Sequence, residues 1–170
     1  MIELLILYEL RNKVLTMYGI SREINKKFSV LTTPSFGTIK PALKRLEKDN
    51  CIKYQKTMSS GGRPSTYYSI TDNGKNALKE LLLEQPLNNP IHFLPSARVK
   101  AICSSILEPK EQIELFKNLK QKAESIVVDI KNIIENNELD FYSKIVFDNL
   151  ICEYKNFISL LEGLAHASKN

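Results

Sequence analysis

The sequence has no tryptophan, only two histidines and only three cysteines. Without tryptophan, no ligand pocket can be walled by indole rings. Cys51, Cys103 and Cys152 are odd in number, far apart, and form no Cys-x-x-Cys pair. That pattern speaks against a disulfide framework and against a thiolate zinc site. They are expected as small apolar core side chains, and only Cys51 has a basic neighbour, Lys53, of the kind a redox-sensing thiol needs. His92 and His166 lie far apart, and no nucleophile constellation, phosphate loop or metal-ligand spacing accompanies them. The residues therefore point away from an enzyme, and neither metal nor cofactor is expected. Long apolar runs are missing too: nothing approaches the roughly 20 residues needed to span a bilayer. Met1 to Leu7 is apolar but contains Glu3 and is soon followed by Glu9. It has neither a basic leading region nor a small-residue cleavage site, so it does not read as a signal peptide and the chain is expected in the cytoplasm, away from any membrane.

The 170 residues, 43% hydrophobic and 25% charged, suit a soluble globular protein of one or two small domains. The charge is unevenly spread. Residues 1–85 hold 14 Lys and Arg against 8 Asp and Glu, whereas residues 86–170 hold 10 against 11. The positive excess belongs to the first half, which suggests that this half meets a polyanion and the second half does something else.

Apolar residues from Leu4 to Leu10, continuing to Leu15, predict a first helix with a wide buried face. Thr16 can cap a second, in which Tyr18, Ile20, Ile24 and Phe28 recur at helical spacing and Arg22, Lys26 and Lys27 lie outside. A third helix runs to about Asn50, with Ile39, Leu43 and Leu46 inward and Lys40, Lys44, Arg45 and Lys48 outward. Ser35 or Thr38 can cap it; Thr38 is preferred because Pro41 then falls at the third helical position. Residues 51–57 and 65–70 alternate as strands around Ser59-Ser60-Gly61-Gly62-Arg63-Pro64, a turn by its chemistry. Thr71 caps a fourth helix through Leu82. Pro86-Leu87-Asn88-Asn89-Pro90 reads as a linker. Beyond it come a helix from Ser96 to Leu107, a long one from about Pro109 to Asn136, and a last from about Asp140 to His166.

The predicted fold is mainly α with a small β-hairpin: an N-terminal winged helix-turn-helix over residues 1–85 and a long-helix region over 86–170. A helix fits the major groove of B-DNA. The third helix can present Lys40, Lys44 and Arg45 to phosphates or base edges, and Ser35 and Thr38 can donate to a phosphate beside free helix-start amides. Arg63, at a narrow turn, can reach a minor groove or a flanking phosphate. Tyr67 and Tyr68 face opposite sides of their strand, so one is expected in the core and Tyr67 is kept as a candidate near DNA.

Ser35 to Glu47, Gly62 to Gly74 and Tyr18-Gly19-Ile20 together, correctly ordered over residues 1–85, resemble the recognition helix, wing and second-helix entry of the PadR (phenolic acid decarboxylase regulator) transcriptional regulators. Two positions depart from that pattern. The family usually has tyrosine where Lys40 stands, a DNA-facing position, so Lys40 is expected to alter sequence preference; Ile20 replaces an aromatic and is expected to change packing only. The second half is similar in pattern to the helical C-terminal region of the larger members, where the resemblance implies dimerisation. The residues agree, since Phe116, Leu119, Ile126 and Ile130 form one apolar seam and Leu150, Phe157, Leu161 and Leu164 another. The resemblance implies a repressor that binds a palindromic double-stranded operator as a homodimer, two recognition helices reading half-sites about one DNA turn apart, with release by a small-molecule or stress signal. A winged helix that binds protein without sequence-specific DNA contact is the alternative, and it predicts weak, salt-insensitive DNA affinity.

Overall fold

Helix α1 (Ile2–Leu10) is apolar nearly all round, and such a helix is stable only when enclosed. In the computed structural model, which describes every residue except Ser59, Ser60, Gly61, Arg63, Leu87 and Asn170, Leu4 to Leu10 are all buried. The one charge in that stretch, Glu9, is met by Lys27, whose Nζ donates to both carboxylate oxygens at 2.8 and 3.0 Å. Lys27 thus serves the interior rather than the outer face expected for it: its place on the helical wheel is the inner flank of α2. Helix α1 stops at Leu10 rather than at Leu15. Arg11 folds back, its Nη1 donating to the Tyr8 carbonyl and its guanidinium lying 3.7 Å over the Tyr8 ring, and this closes the helix end.

The chain then makes a two-residue strand, β1 (Leu15–Thr16), that the sequence pattern does not announce. Thr16 also caps α2 (Met17–Phe28), its Oγ1 accepting from the Gly19 amide at 3.1 Å. Helix α3 (Phe36–Lys48) starts after Ser35, not after Thr38. Pro41 therefore lies in the second turn, where its missing amide deprives the Gly37 carbonyl of a helical partner. Both residues are exposed, so water can serve that carbonyl. Asn50, in the left-handed region at φ 54°, ends the segment; Asn tolerates that conformation better than most residues.

Strands β2 (Ile52–Met58) and β3 (Pro64–Ile70) pair antiparallel from Ile52 opposite Ile70 to Met58 opposite Pro64. Strand β1 joins the other edge of β3, Leu15 opposite Tyr68 and Thr16 opposite Tyr67, giving the order β1-β3-β2. Helix α4 (Asp72–Leu83) is capped by Thr71, whose Oγ1 accepts from the Gly74 amide at 3.0 Å and donates to the Asn50 carbonyl at 2.6 Å. These elements enclose Ile20, Ile24, Phe28, Ile39, Leu43, Leu46, Leu78 and Leu82 around α1.

Helix α5 (Pro90–Cys103) begins at Pro90 rather than at Ser96. The second proline of the expected linker is a helix start, a place where its missing amide costs nothing. The chain separates into two units, Met1–Glu84 with Arg98–Cys103, and Gln85–Ala97 with Ser104–Asn170. In the first unit Val99 and Cys103 are buried, and the Lys100 Nζ donates to the Glu84 carbonyl at 2.6 Å just beyond α4. Burial pushes the Lys100 ammonium down in pKa, against the opposing pull of Glu84.

In the second unit a 3-10 turn (Ser104–Ile106) leads into α6 (Pro109–Asn136) and α7 (Phe141–Ala167), which pack as an antiparallel hairpin. Lys120 pairs with Glu162 at 2.5 Å, and Ser168 donates to Gln112 at 2.7 Å, so the start of one helix meets the end of the other. Asp140 caps α7 by accepting from the Ser143 amide at 3.0 Å. Phe93 stacks on Tyr154 and meets Phe157 edge-on, with centroids 6.2 and 6.3 Å apart.

Cys51 and Cys103 are buried and Cys152 is exposed. Burial raises the Cys51 thiol, and Asp49, Glu3 and Glu80 add to the effect, so its surroundings are acidic despite Lys53. Burial pushes Cys103 up to about 12. A thiol-specific chromogenic reagent is expected to titrate one thiol per chain rapidly in the native protein and all three after denaturation. Rapid native reaction of two or three would contradict this packing. Because folding holds the Cys103 proton above the pH, about 8.5, at which a free thiol loses it, the stability it supplies declines as pH rises from there toward its folded value.

Candidate nucleic-acid interface

Successive residues of an α-helix turn by about 100°. On α3 this places Ile39, Ala42, Leu43 and Leu46 on one side, and all four are buried. The opposite arc carries Gly37, Lys40, Pro41, Lys44 and Lys48, all exposed. Three lysines at i, i+4 and i+8 thus stand in a row, with small or ring-closed residues beside them that allow close approach. None of the three has an ion-pair partner among the described residues.

Arg45 behaves differently. It sits on the flank of the helix, and its Nε donates to Glu3 of α1 at 2.6 Å. The pair is partly exposed, so the guanidinium is restrained toward the side of α3 rather than aimed from its outer face. Ser35 and Thr38 are both exposed at the helix start, their hydroxyls 3.2 Å apart. No side chain caps the helix, and the Ser35 carbonyl accepts from both Thr38 and Ile39. The first amides of α3 therefore stay open toward an anion. Tyr67 is half-buried in the middle strand, opposite Gln55 on one side and Thr16 on the other. Its neighbour Tyr68 is equally half-buried and packs against Tyr54 with centroids 6.5 Å apart, so the expected division into one core and one outer tyrosine is not made. Gly62 takes φ 73°, the left-handed conformation that a tight turn demands of glycine. Arg63 lies outside the described residues.

Two features escaped the sequence reading. Tyr18 at the start of α2 stacks on Phe36 at the start of α3, with centroids 6.4 Å apart and planes 23° from parallel. They are 68% and 46% exposed, so this ring pair forms surface rather than core. Beside it Arg22, Asn25 and Lys26 line an open groove of about 680 Å³ that Glu23 also touches. The Glu23 carboxyl is held below its ordinary pKa by the hydrogen bond from Lys13. An aromatic at the first turn of each of two successive helices is the signal that could have revealed the pair.

The candidate dimerisation residues fall within the second unit. Phe116, Leu119, Ile126, Ile130, Phe157 and Leu161 are buried in a single chain, and Leu150 and Leu164 are half-buried. Four apolar side chains in the first turns of α7 are instead exposed: Phe141 69%, Tyr142 79%, Ile145 51% and Val146 65%. Val146, one turn before Leu150, therefore belongs to the surface rather than to the seam. Ile133, near the end of α6, is exposed as well.

Among the described residues no group of three or more His, Cys, Asp and Glu is placed to hold a metal ion, and no helix is long and apolar enough to cross a membrane. The sequence profile of the transcriptional regulator PadR-like family matches residues 6–80. The negative transcriptional regulator PadR of Bacillus subtilis is 25% identical over 166 residues, covering 91% of this chain and 90% of that one. The crystal structure of B. subtilis PadR in complex with operator DNA is similar across 98% of both chains, at 24% identity and a TM-score of 0.48. A PadR-like transcriptional regulator of Bacillus cereus is 35% identical over 46% of this chain and 74% of its own, with a TM-score of 0.40.

Proposed function

This chain belongs to the PadR-like family of transcriptional regulators, and we propose that it is a repressor that binds a palindromic operator as a homodimer. The observation that carries the DNA contact is the unpaired row of Lys40, Lys44 and Lys48 on the outer arc of α3. A helix with that face enters a major groove with cations toward the phosphates and base edges. Ser35, Thr38 and the first amides of α3 take a phosphate, and Arg63 and Tyr67 are assigned to the wing side of the contact. Arg45, held by Glu3, meets the backbone from the flank.

The second unit supplies the dimer. The seam of Phe116, Leu119, Ile126, Ile130, Phe157 and Leu161, with half-buried Leu150 and Leu164 at its edge, joins α6 and α7 as a hairpin. The apolar patch of Phe141, Tyr142, Ile145 and Val146 on the first turns of α7 is the surface that a second copy covers. Two aromatic rings and two branched aliphatic chains left to water in successive turns of one helix favour such an occupant.

The test is fluorescence anisotropy with duplex DNA from upstream of the protein's own gene, against a scrambled duplex, across a salt series. The native duplex is expected to bind at least roughly a thousandfold more tightly at physiological salt. The logarithm of affinity should fall with the logarithm of salt by about 0.9 per neutralised phosphate. Equal, weak and salt-insensitive binding to both duplexes, with failure of a genome-wide DNA selection, would replace this reading with a protein-binding winged helix.

A further inference from the structure

We infer that Lys40 and Lys44 read guanine, so that each operator half-site presents guanines to the recognition helix in the major groove. The inference rests on the DNA-binding reading above and narrows it to a base. Among the described residues, the outer arc of α3, made by Gly37, Lys40, Pro41, Lys44 and Lys48, bears three lysine donors and no side-chain acceptor. Thr38 and Glu47, the acceptors of this helix, lie on its flanks, about a quarter turn from the middle of that arc by helical arithmetic, and Glu47 stands beyond Lys44 toward the C-terminal end.

Each base shows a different edge in the major groove. Cytosine shows an amino donor, and adenine shows an amino donor beside N7. A lysine ammonium has three donors and no acceptor, so both edges place a donor against it. Guanine shows two adjacent acceptors, O6 and N7, and no donor. Thymine shows the single acceptor O4 beside a methyl group. Guanine is therefore the base that a lysine-only face satisfies best. Asn or Gln at these positions would have selected adenine, and Asp or Glu cytosine.

Position along the helix sorts the three lysines. The N-terminal part of a recognition helix meets the base edges, which assigns them first to Lys40; Lys44, one turn further along the same exposed row, is the next to reach them, and Lys48, in the last turn, is left to a phosphate. Lys40 and Lys44 are about 6 Å apart along the axis, on the order of two base-pair steps. The bare surface of Gly37 and the flat ring of Pro41 between them let the helix sink far enough for an ammonium to reach a base.

The experiment is selection of randomised duplexes by the purified full chain, followed by anisotropy on the enriched site. The expected motif carries guanine in each half-site. Replacing that guanine by 7-deazaguanine, which lacks N7, should weaken binding by about tenfold. Lys44→Gln should move the preference at one position from guanine to adenine, while a Lys48→Ala change weakens all sequences alike. All three side chains are exposed, and unchanged melting curves will show that the variants fold. An enriched motif insensitive to 7-deazaguanine, or with adenine or cytosine at the positions that Lys40→Ala and Lys44→Ala relax, overturns the guanine assignment and leaves operator binding standing. No enrichment at all overturns the operator reading and the assignment together.

Discussion

Gly74→Ala is expected to lower the melting temperature by on the order of 10 °C, while Gly163→Ala leaves it unchanged or raises it. The two glycines differ in what a methyl group would meet. A Cβ at Gly74 would stand 1.9 Å from the Cys51 carbonyl oxygen and 2.9 Å from its carbonyl carbon, with Ile70 Cγ1 at 2.8 Å. Two of these three obstacles are backbone atoms, which cannot rotate aside. Relief requires α4 to lift from the chain entering β2, and that breaks the bond from Thr71 Oγ1 to the Asn50 carbonyl and the one from Asn73 Nδ2 to the Asp49 carbonyl. The cost belongs at the upper end of overpacking, about 3 kcal/mol. Gly163 has nothing within 4 Å of the same added atom and lies inside α7. Alanine there gains about 0.5–1 kcal/mol from helix propensity. Thermal unfolding of both variants beside the parent settles the matter: a Gly74→Ala protein that melts with the parent means that α4 does not sit on Cys51.

Ile145→Glu combined with Val146→Glu is expected to yield folded single chains and to weaken operator binding by about a hundredfold or more. Neither side chain supports its own chain's core, since both are more than half exposed. The substitutions therefore leave the α6–α7 hairpin intact and place two carboxylates where the partner's apolar patch must dock. A desolvated, unpaired charge is among the most effective ways to split an interface. Losing the dimer turns a linked pair of recognition helices into independent ones, and the linkage itself multiplies affinity by roughly a hundred- to ten-thousandfold. Sedimentation velocity reads the assembly and anisotropy the affinity. A variant that stays dimeric shows that the copies meet elsewhere; one that becomes monomeric with full operator affinity shows that the two heads do not act together.

What could be read from the sequence was mostly what depends on neighbours a few positions away. Thr16 and Thr71 announced their helices because a short oxygen side chain before an apolar periodic run serves the amides two or three residues on. Pro109 announced α6 for the complementary reason, having no amide to leave unserved. The lysine face of α3 followed from spacing alone. The features that were missed depend on distant partners. Leu15 and Thr16 form a strand only because Tyr68 and Tyr67 lie opposite, and nothing within the pair itself suggests extended structure. The restraint on Arg45 comes from Glu3 on α1, distant in sequence, so a wheel of α3 could only count it among the outward cations. Pro41 pulls the expected helix start to Thr38 because proline in a second turn orphans a carbonyl, and its exposure to water there belongs to the fold, not to the local sequence. Pro90 reads as a break in the sequence because the Phe93, Tyr154 and Phe157 cluster, which makes its segment worth folding as a helix, comes together only in the fold.

The lysine row on α3 has a consequence for the protein without DNA. Like charges one turn apart on a helix repel, and the single acidic residue of α3, Glu47 on the flank, forms no ion pair with any of them among the described residues. The free recognition helix is thus electrostatically frustrated, and a polyanion or a dense ion atmosphere relieves it. Added salt therefore acts in opposite senses on the two halves of the cycle: it calms the empty reading head and loosens the occupied one. The sequence that makes this surface adhesive also leaves it least comfortable when it has nothing to hold.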